Sequence, residues 1–159
     1  MPRKKTKALV REVAPDRLYN NVQLARLINR VMQNGKKQLA ERLVYGGMEK
    51  AAKKLKVENP LEVFEQAFKN IQPHVETRSR RVGGANFQIP FEVHGQRQSH
   101  LTIMWFVAAA RARKGISMED RIAAELMDAY NSQGAAVRKR EDVHKMADAN
   151  RAFAHFARG

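Results

Sequence analysis

A pair of glycines, Gly83 and Gly84, lies at the centre of residues 75–90, and extended-chain residues flank the pair on both sides. Two-residue hairpin turns need positive φ angles, which glycine adopts without steric cost, so this stretch predicts a β-hairpin. With the glycines as the turn, the two-residue period of a strand sets the cross-strand partners. Those partners are Val82 with Ala85, Arg80 with Phe87, and Arg78 with Ile89.

Both faces of this hairpin carry side chains that an ordinary protein core does not hold. The polar residues are Arg78 and Arg80 on one face, and Ser79, Arg81, Asn86 and Gln88 on the other. Because arginine stays charged and an isolated hairpin is marginally stable in water, we expect a partner outside the fold to hold it. Guanidinium groups beside an aromatic ring suit phosphates and unstacked bases, which favours RNA over DNA. The alternative is a solvated surface hairpin with no partner.

The net charge also favours a polyanionic partner. The 159 residues contain 30 Lys and Arg against 16 Asp and Glu, which leaves a formal net charge of +14. Such a domain repels itself unless counterions or a partner screen the charge, and phosphate backbones are the commonest partner. An anionic membrane is the rival surface, but the longest apolar run, Ile103 to Ala110, is far shorter than the roughly 20 residues of a spanning helix. We therefore expect a soluble protein with no membrane partner.

The chain length fits one domain, which we divide into a flexible basic arm (1–18), a helical RNA-binding domain (19–156) that includes the hairpin (74–91), and a short tail (157–159). The arm has charge and few apolar anchors, so we expect it to order on a polyanion. Its basic start could also imitate an import or transit signal, but it lacks the apolar core of a signal peptide. Cysteine is absent, which excludes disulfides and cysteine-based zinc sites and fits a reducing compartment.

Apolar residues at helical spacing predict a mainly α fold, a single bundle of about six helices with a protruding β-hairpin between the third and fourth helices. The predicted helices run from about Asn20 to Gly35, Lys37 to Leu55, Pro60 to Pro73, His100 to Arg113, Ser117 to Gly134, and Glu141 to Phe156. The residues that we place in the loop before the last helix are Arg138, Lys139 and Arg140.

The same spacing predicts which side chains face inward. The inward positions include Leu39 in the second helix, Ala108 in the fourth, and Val143, Met146, Asn150 and Phe153 in the sixth. Glycine destabilises a helix interior by about 1 kcal/mol relative to alanine, so Gly46 and Gly47 indicate close helix contact. Acidic residues such as Glu125 and Asp128 have the spacing of solvated helix faces and caps.

Nothing in the sequence has the spacing of a catalytic, metal or cofactor site. The five histidines are scattered, and none forms the i,i+4 pair, with a glutamate between, that marks a metal-binding helix. The segment 34–37, Asn-Gly-Lys-Lys, lacks the first glycine and the hydroxyl residue of a nucleotide-binding loop. We therefore expect no enzyme, no metal and no cofactor.

Four motifs in order along the chain closely resemble the ribosomal protein seven family of the bacterial small subunit. They are Asn34-Gly35-Lys36-Lys37, Pro60-Leu61-Glu62-Val63-Phe64, the segment from Arg78 to Asn86 that reads RSRRVGGAN, and the segment from Gly134 to Val143 that reads GAAVRKREDV. The resemblance spans nearly the whole chain. One departure is the end, which reads Phe156-Ala157-Arg158-Gly159 where many bacterial members finish in Tyr-Arg-Trp, so tail contacts of the family are not carried over.

The resemblance implies a structural constituent of the small subunit that binds the three-prime major domain of the ribosomal RNA directly and nucleates assembly of the subunit head. It implies a hairpin close to the exit site, beside messenger RNA and departing transfer RNA, and contacts with neighbouring head and platform proteins. It also implies a cytoplasmic location in the ribosome. Some members repress their own messenger RNA, and these residues do not indicate whether this chain does.

The expected RNA-binding residues come from five separate segments. They are Arg3, Lys4, Lys5, Lys7 and Arg11 in the arm; Lys36 and Lys37; Arg78, Arg80, Arg81, Gly83, Gly84, Asn86 and Phe87 in the hairpin with Arg97 after it; Arg111, Arg113 and Lys114; and Arg138, Lys139 and Arg140. At the end of the fourth helix, compensation of the helix dipole competes with phosphate contact as a role. An architectural DNA-binding protein is the main alternative function, and an RNA-modifying enzyme is the third.

Overall fold

The fold is that of a computed structural model, which describes residues 12–158 and the side chains in that range except those of 82 and 156–158. Within this range the chain forms six α-helices, one two-stranded antiparallel sheet and a final 3₁₀ helix. The elements are α1 (Val22–Val31), α2 (Lys37–Leu55), α3 (Pro60–Ile71), β1 (Val75–Val82), β2 (Ala85–Glu92), α4 (Gly95–Ala112), α5 (Met118–Tyr130), α6 (Ala135–Ala149) and the 3₁₀ helix (Arg151–Arg158). This order confirms the predicted mainly α fold with a hairpin between the third and fourth helices.

Side-chain caps begin three of the helices. The Asn21 side chain accepts hydrogen bonds from the backbone N–H groups of Gln23 and Leu24, at 2.8 and 3.2 Å. Asn59 caps α3 through the N–H of Leu61 at 3.0 Å, and Pro60 occupies the first helical position, where its missing N–H costs nothing. Ser117 caps α5 through the N–H of Asp120. Local sequence therefore fixes these helix starts, as the pattern predicted for α3 and α5.

The core lies between helices α1 to α5 and the start of α6, and it holds an aromatic cluster from α3 and α4. Phe68 contacts both Phe64, with ring centroids 4.1 Å apart, and Phe106, with centroids 5.2 Å apart. All three rings are buried. Burying a large apolar side chain contributes roughly 1.5–3 kcal/mol, so this cluster is a major source of the bundle's stability. The core sets the positions of the helix ends that carry the basic residues.

The hairpin has the register predicted from the sequence. Arg80 pairs with Phe87 and Arg78 with Ile89. Gly83 and Gly84 take φ angles of 58° and 91° at the turn. The expectation that a partner outside the fold must hold the hairpin is wrong for its base, because Ile89 is fully buried. The chain itself supports one side of the hairpin.

That support comes from the C-terminal part of the chain. The ring of Phe153 in the 3₁₀ helix lies against Phe87 of β2, with centroids 5.0 Å apart. The Thr77 hydroxyl on β1 contacts the Met146 sulfur on α6 at 3.3 Å. These contacts explain two wrong predictions about inward residues, because Met146 and Phe153 face the hairpin and do not join the core of the bundle.

The predicted start of the last helix is wrong. We expected Arg138, Lys139 and Arg140 in a loop before a helix at Glu141, but α6 begins at Ala135 and contains all three basic residues. We expected Gly134 to end α5, but α5 ends at Tyr130, and Gly134 with a φ of 93° is the N-cap of α6. The turn between the helices was missed because Ser132, not a glycine, takes the left-handed conformation at φ 57°.

Other corrections follow from tertiary packing. The helix α4 begins at Gly95, ahead of the predicted start at His100. The prediction missed its first turn because the residues there are polar and show no apolar periodicity. Leu39 is exposed at the edge of an open groove, and Ala108 is exposed because α4 buries its other faces. Residues 1–11 of the predicted arm (1–18) lie outside the described residues. Within its described part, Asp16 is buried.

Four hydrogen bonds hold the Asp16 carboxylate in place, and one of them comes from the backbone N–H of Leu18 at 3.1 Å. Its oxygens accept from the backbone N–H groups of Tyr19 at 2.9 Å and Asn21 at 2.7 Å, and from the Tyr45 hydroxyl at 3.1 Å. Burial alone would raise the Asp16 pKa, but these donors outweigh it, so its pKa is lowered. Burial of Tyr45, its hydrogen bond to Asp16 and the charge of that carboxylate together raise the pKa of Tyr45 to about 12. The segment before α1 is thereby tied to α2.

The two glycines inside α2 lie where this helix crosses α5, as the sequence indicated. A Cβ at Gly47 would lie 2.7 Å from Cγ2 of Ile122 and 3.1 Å from the backbone oxygen of Glu119. A Cβ at Gly46 would meet the flexible carboxylate end of Glu119 instead, at 2.7 Å. The absence of a side chain at Gly47 therefore lets α2 and the backbone of α5 approach closely, whereas a side chain at position 46 would meet only a movable carboxylate.

This difference predicts opposite effects for two similar substitutions. We expect Gly47→Ala to lower the free energy of unfolding by about 1–3 kcal/mol, because neither the backbone of α5 nor Ile122 can move away cheaply. We expect Gly46→Ala to be neutral or stabilising by up to about 1 kcal/mol, since Glu119 can swing aside and alanine favours helix. Urea unfolding of both variants measures the difference, and equal destabilisation would contradict this account of the α2–α5 contact.

Candidate nucleic-acid interface

Most of the predicted RNA-binding residues that the structure describes are exposed. The exposed ones are Lys36, Lys37, Arg78, Arg80, Arg81, Gly83, Gly84, Asn86, Arg97, Arg111, Lys114, Arg138 and Lys139. Phe87, Arg113 and Arg140 are half-buried. The arm residues Arg3, Lys4, Lys5, Lys7 and Arg11 lie outside the described residues. The fold therefore leaves cationic side chains outward in each described segment that the sequence singled out.

The outer part of the hairpin presents arginines on both faces. Arg80 lies opposite Phe87 and Arg81 lies opposite Asn86, and all but Phe87 are exposed. The glycine turn is tight, so the exposed arginines lie close to a narrow tip. Phe87 contacts the Phe153 ring and is half-buried. Cationic and aromatic groups are thereby combined on one exposed element.

At the base of the hairpin, Glu76 uses two of the predicted RNA-binding arginines for an internal clamp. One Glu76 oxygen accepts from Arg97 through Nε at 3.0 Å and Nη2 at 2.8 Å, and the other accepts from Nε of Arg78 at 2.6 Å. Arg78 also lies over the Phe91 ring, 5.2 Å from its centroid. Glu76 is only 6% exposed. The clamp joins β1 to the first turn of α4 and so orients the hairpin.

The clamp also sets the ionisation of Glu76. Burial alone would raise the pKa of this carboxyl group, but the hydrogen bonds and charges of Arg97 and Arg78 outweigh burial and lower it. Glu76 therefore remains a carboxylate under ordinary conditions, and each arginine has one buried anionic partner. Arg78 and Arg97 therefore use part of their hydrogen-bonding capacity within the fold, whereas Arg81 is exposed.

An open groove lined by basic residues lies between the ends of α1 and α4 and the starts of α2 and α5. Lys36, Arg111 and Arg121 line it together with apolar side chains such as Leu39 and Met118. The Arg111 guanidinium donates to the backbone oxygen of Arg30 at 3.3 Å. That carbonyl lies in the last turn of α1, where the helix dipole is negative. The turn at 36–37 and the end of α4, which are distant in sequence, are thus brought together.

A second basic groove, between α1 and α4, was missed in the sequence. Arg26, Arg30 and His100 line it beside Ile103 and Met104. The i,i+4 spacing of Arg26 and Arg30 was the available signal, because that spacing places both on one side of a helix. No spacing rule pairs them with His100 on α4, since that contact depends on how the two helices pack.

The start of α6 presents two cations and uses a third internally. Arg138 and Lys139 are exposed. Arg140 is turned inward and donates to the backbone oxygen of Asn70 at the end of α3. Arg113, at the end of α4, is paired with the carboxylates of Glu125 and Asp128. The sequence left dipole compensation and phosphate contact open for Arg113, but the structure pairs its guanidinium with these carboxylates instead.

Glu125 corrects the expectation that the acidic residues lie on solvated helix faces. Its side chain is fully buried, and its oxygens accept from Arg113 and from the backbone N–H of Ala136 at 3.0 Å. The sequence pattern could not show that Glu125 is buried, because a glutamate at such a spacing predicts a solvated helix face unless its partners are known.

In the range 12–158 there is no group of three or more His, Asp or Glu side chains placed to hold a metal ion. No helix in that part of the chain is long and apolar enough to cross a membrane. A helical domain with exposed basic grooves and an arginine-bearing hairpin defines the class of basic, helical nucleic-acid-binding proteins.

Comparison with known proteins identifies the family. Residues 2–151 match the family described as ribosomal protein S7p/S5e. The small ribosomal subunit protein uS7 of Kosmotoga olearia is 52% identical over 153 residues, which cover 96% of this chain and 98% of that protein. The uS7 protein of Marinobacter nauticus is 53% identical over 156 residues, covering 98% and 99%. This chain belongs to the ribosomal protein S7p/S5e family, whose members are structural proteins and not enzymes.

The Glu76 clamp leads to a pH-dependent prediction. Because the pKa of Glu76 is lowered in the folded protein, its contribution to stability is fully present above the ordinary value of 4.5 and is lost as the pH falls below that value. We expect Glu76→Gln to lower the free energy of unfolding by about 1–3 kcal/mol near neutral pH. The gap from the wild type should shrink in acid.

Urea unfolding over a pH series measures this gap, and Glu92→Gln is the matched control because Glu92 is an exposed carboxylate on β2. The control should show little change at any pH. A gap between wild type and Glu76→Gln that stays constant with pH would show that the ionised carboxylate is not what stabilises the fold, and an absent gap would show that the clamp does not contribute to stability.

Proposed function

We propose that this chain is a structural constituent of the small ribosomal subunit and binds its ribosomal RNA directly, without catalysis. The observation that carries the proposal is the set of exposed cations on separate elements of one domain. They lie on the hairpin, in the groove between the ends of α1 and α4 and the starts of α2 and α5, and at the start of α6. Such a surface can contact several RNA segments at once through phosphates, which supply affinity and positioning. Membership of the S7p/S5e family supports the ribosomal assignment.

The proposed RNA target is the three-prime major domain, and the proposed role is nucleation of head assembly as a primary binder. A domain that carries basic residues on several elements can hold RNA segments together before other proteins join. The cytoplasmic ribosome is the corresponding location. Neighbouring proteins of the head and platform are the proposed protein partners. Binding of the purified chain to that RNA domain alone tests primary binding, and a requirement for another protein would contradict it.

The proposed position of the hairpin is the subunit interface near the exit site, beside messenger RNA and departing transfer RNA. In support, the outer strands keep Arg81 and Asn86 exposed while the base is clamped by Glu76. Because Glu76 fixes the base of the hairpin to α4, the tip of the hairpin points in a defined direction, which would favour a repeated contact with departing transfer RNA. Crosslinking from position 81 in assembled subunits tests the placement, and crosslinks confined to ribosomal RNA far from the exit site would contradict it.

An architectural DNA-binding protein would share the net charge but not the preference for RNA. RNA is favoured because arginines beside Phe87 suit unstacked bases and irregular shape, which duplex DNA does not present. Competition between the folded RNA domain and duplex DNA at one salt concentration separates the two. Equal affinity for both would favour the DNA-binding alternative.

Salt dependence gives the sharpest test of phosphate contact. We expect Arg81→Ala and Lys139→Ala each to weaken binding to the RNA domain and to lower the log–log salt slope by about one, because each removes about one phosphate contact. Thermal stability should be nearly unchanged, since both side chains are exposed. Lys69→Ala on α3 is the control, an exposed lysine outside the proposed interface.

Filter or fluorescence binding over a salt series measures these slopes. The control should retain the wild-type slope. A flat slope for the wild type, or an equal loss in all three variants, would show that general charge and not this surface carries the binding.

A further inference from the structure

One buried carboxylate joins two of the basic segments. Glu125 lies on α5 and is fully buried. One of its oxygens accepts two hydrogen bonds from Arg113 at the end of α4, through Nε at 3.0 Å and Nη2 at 2.7 Å. Its other oxygen accepts the backbone N–H of Ala136 in the first turn of α6, at 3.0 Å. The end of α4 and the start of α6 therefore meet at a single side chain.

On the α6 side, Glu125 replaces a cap that the sequence does not provide. The N-cap of α6 is Gly134, which has no side chain to accept a backbone N–H. A carboxylate at a helix N-terminus also interacts favourably with the helix dipole. Gly134 allows the close approach, because a Cβ there would lie 2.9 Å from Cβ of Asp128 and 3.2 Å from Oε1 of Glu125. The start of α6, with Arg138 and Lys139 just beyond it, is held against α5.

On the α4 side, the same carboxylate keeps one arginine inside the fold. Arg113 is half-buried and also contacts Asp128. Burial alone would lower the pKa of Arg113, but the carboxylates of Asp128 and Glu125 outweigh burial and raise it. Its neighbours Arg111 and Lys114 remain exposed. The pairing thus fixes the path of the chain between two outward cations.

We propose that Glu125 is a positioning residue for RNA binding, which sets the spacing between the cations at the end of α4 and those at the start of α6. The inference rests on the proposed function. Glu125 does not touch RNA itself, because it is fully buried. It acts through Arg113 and Ala136, the two groups that it bonds. Phosphates of a folded RNA have fixed separations, so cations bind them together only when the spacing is held.

The positioning role of Glu125 and an explanation by net charge alone predict opposite changes in RNA affinity when Glu125 is replaced. Removing a carboxylate from a chain of net charge +14 should strengthen its binding to a polyanion if only net charge matters. If Glu125 holds the spacing, the same removal should weaken binding, because fewer cations reach phosphates at once. The direction of the change separates the two explanations.

The first experiment compares Glu125→Gln with Glu62→Gln, which removes an exposed carboxylate on α3. Affinity for the three-prime major domain RNA is measured over a salt series at a temperature where circular dichroism shows both variants folded. We expect Glu125→Gln to bind about five- to thirty-fold more weakly, with a salt slope lower by about one, and Glu62→Gln to match or exceed the wild type. Lys139→Ala should cost less affinity in the Glu125→Gln background than in the wild type.

The second experiment disturbs the same junction without changing any charge. Gly134→Ala places a Cβ against Asp128 and Glu125 at a φ of 93°. Gly95→Ala is its control, because Gly95 also has a positive φ, of 54°, but nothing lies within 4 Å of its added Cβ. We expect Gly134→Ala to lower the affinity and the salt slope and Gly95→Ala to leave both unchanged. If Glu125→Gln does not fold, this pair decides the question.

The outcomes separate the inference from the function that it rests on. A wild-type chain that binds the RNA without salt dependence overturns the proposed function. A wild-type chain with steep salt dependence, together with a Glu125→Gln variant that binds as well as Glu62→Gln, overturns the positioning role and leaves the proposed function standing. Weaker binding with a lower slope in a folded Glu125→Gln, with normal binding in Glu62→Gln, supports the positioning role. If Glu125→Gln does not fold, the same result in Gly134→Ala with normal binding in Gly95→Ala supports it, and normal binding in Gly134→Ala overturns it.

Discussion

The structure depends on carboxylates that are buried in a strongly basic chain. Asp16 joins the segment before α1 to α2 through Tyr45, Glu76 joins β1 to α4, and Glu125 joins α4 to α6. Each carboxylate is bonded by several donors, which offsets the cost of removing a charge from water. Replacing one partner would leave the others uncompensated. These three junctions add polar links between segments that the apolar core also holds together.

The same pairs divide the cations of the chain into two groups. Arg97 and Arg113 have carboxylate partners close by, so part of their hydrogen-bonding capacity is used within the fold. Arg81, Lys114 and Lys139 are exposed on elements whose positions those pairs hold. Because a surface cation contributes to RNA binding only when its position suits a phosphate, the internal pairs determine how much of the net charge is useful. Net positive charge attracts the RNA, and the fold sets the positions of the cations that contact its phosphates.

Sequence reasoning predicted features that depend on neighbouring residues and missed those that depend on packing. The hairpin register followed from its glycine turn, and α3 followed from Asn59 and the proline after it. The end of α5 was missed because Ser132 adopts a conformation more typical of glycine, and the start of α6 was missed because its N-cap, Gly134, has no side chain that marks a helix start. The cations were identified by composition, but no local pattern shows that Glu125 is buried or that Arg113 faces it. Those pairings join residues that only the packed helices bring together.

The central claim is that RNA contacts the exposed cations that these internal pairs position. Lysine reactivity toward an acylating reagent, measured by mass spectrometry on the free chain and on its complex with the ribosomal RNA domain, tests it most directly. The account predicts that Lys114 and Lys139 lose reactivity in the complex, while Lys54 and Lys69, exposed on α2 and α3, keep theirs. Equal protection of all four lysines, or protection of Lys54 and Lys69 alone, would contradict it.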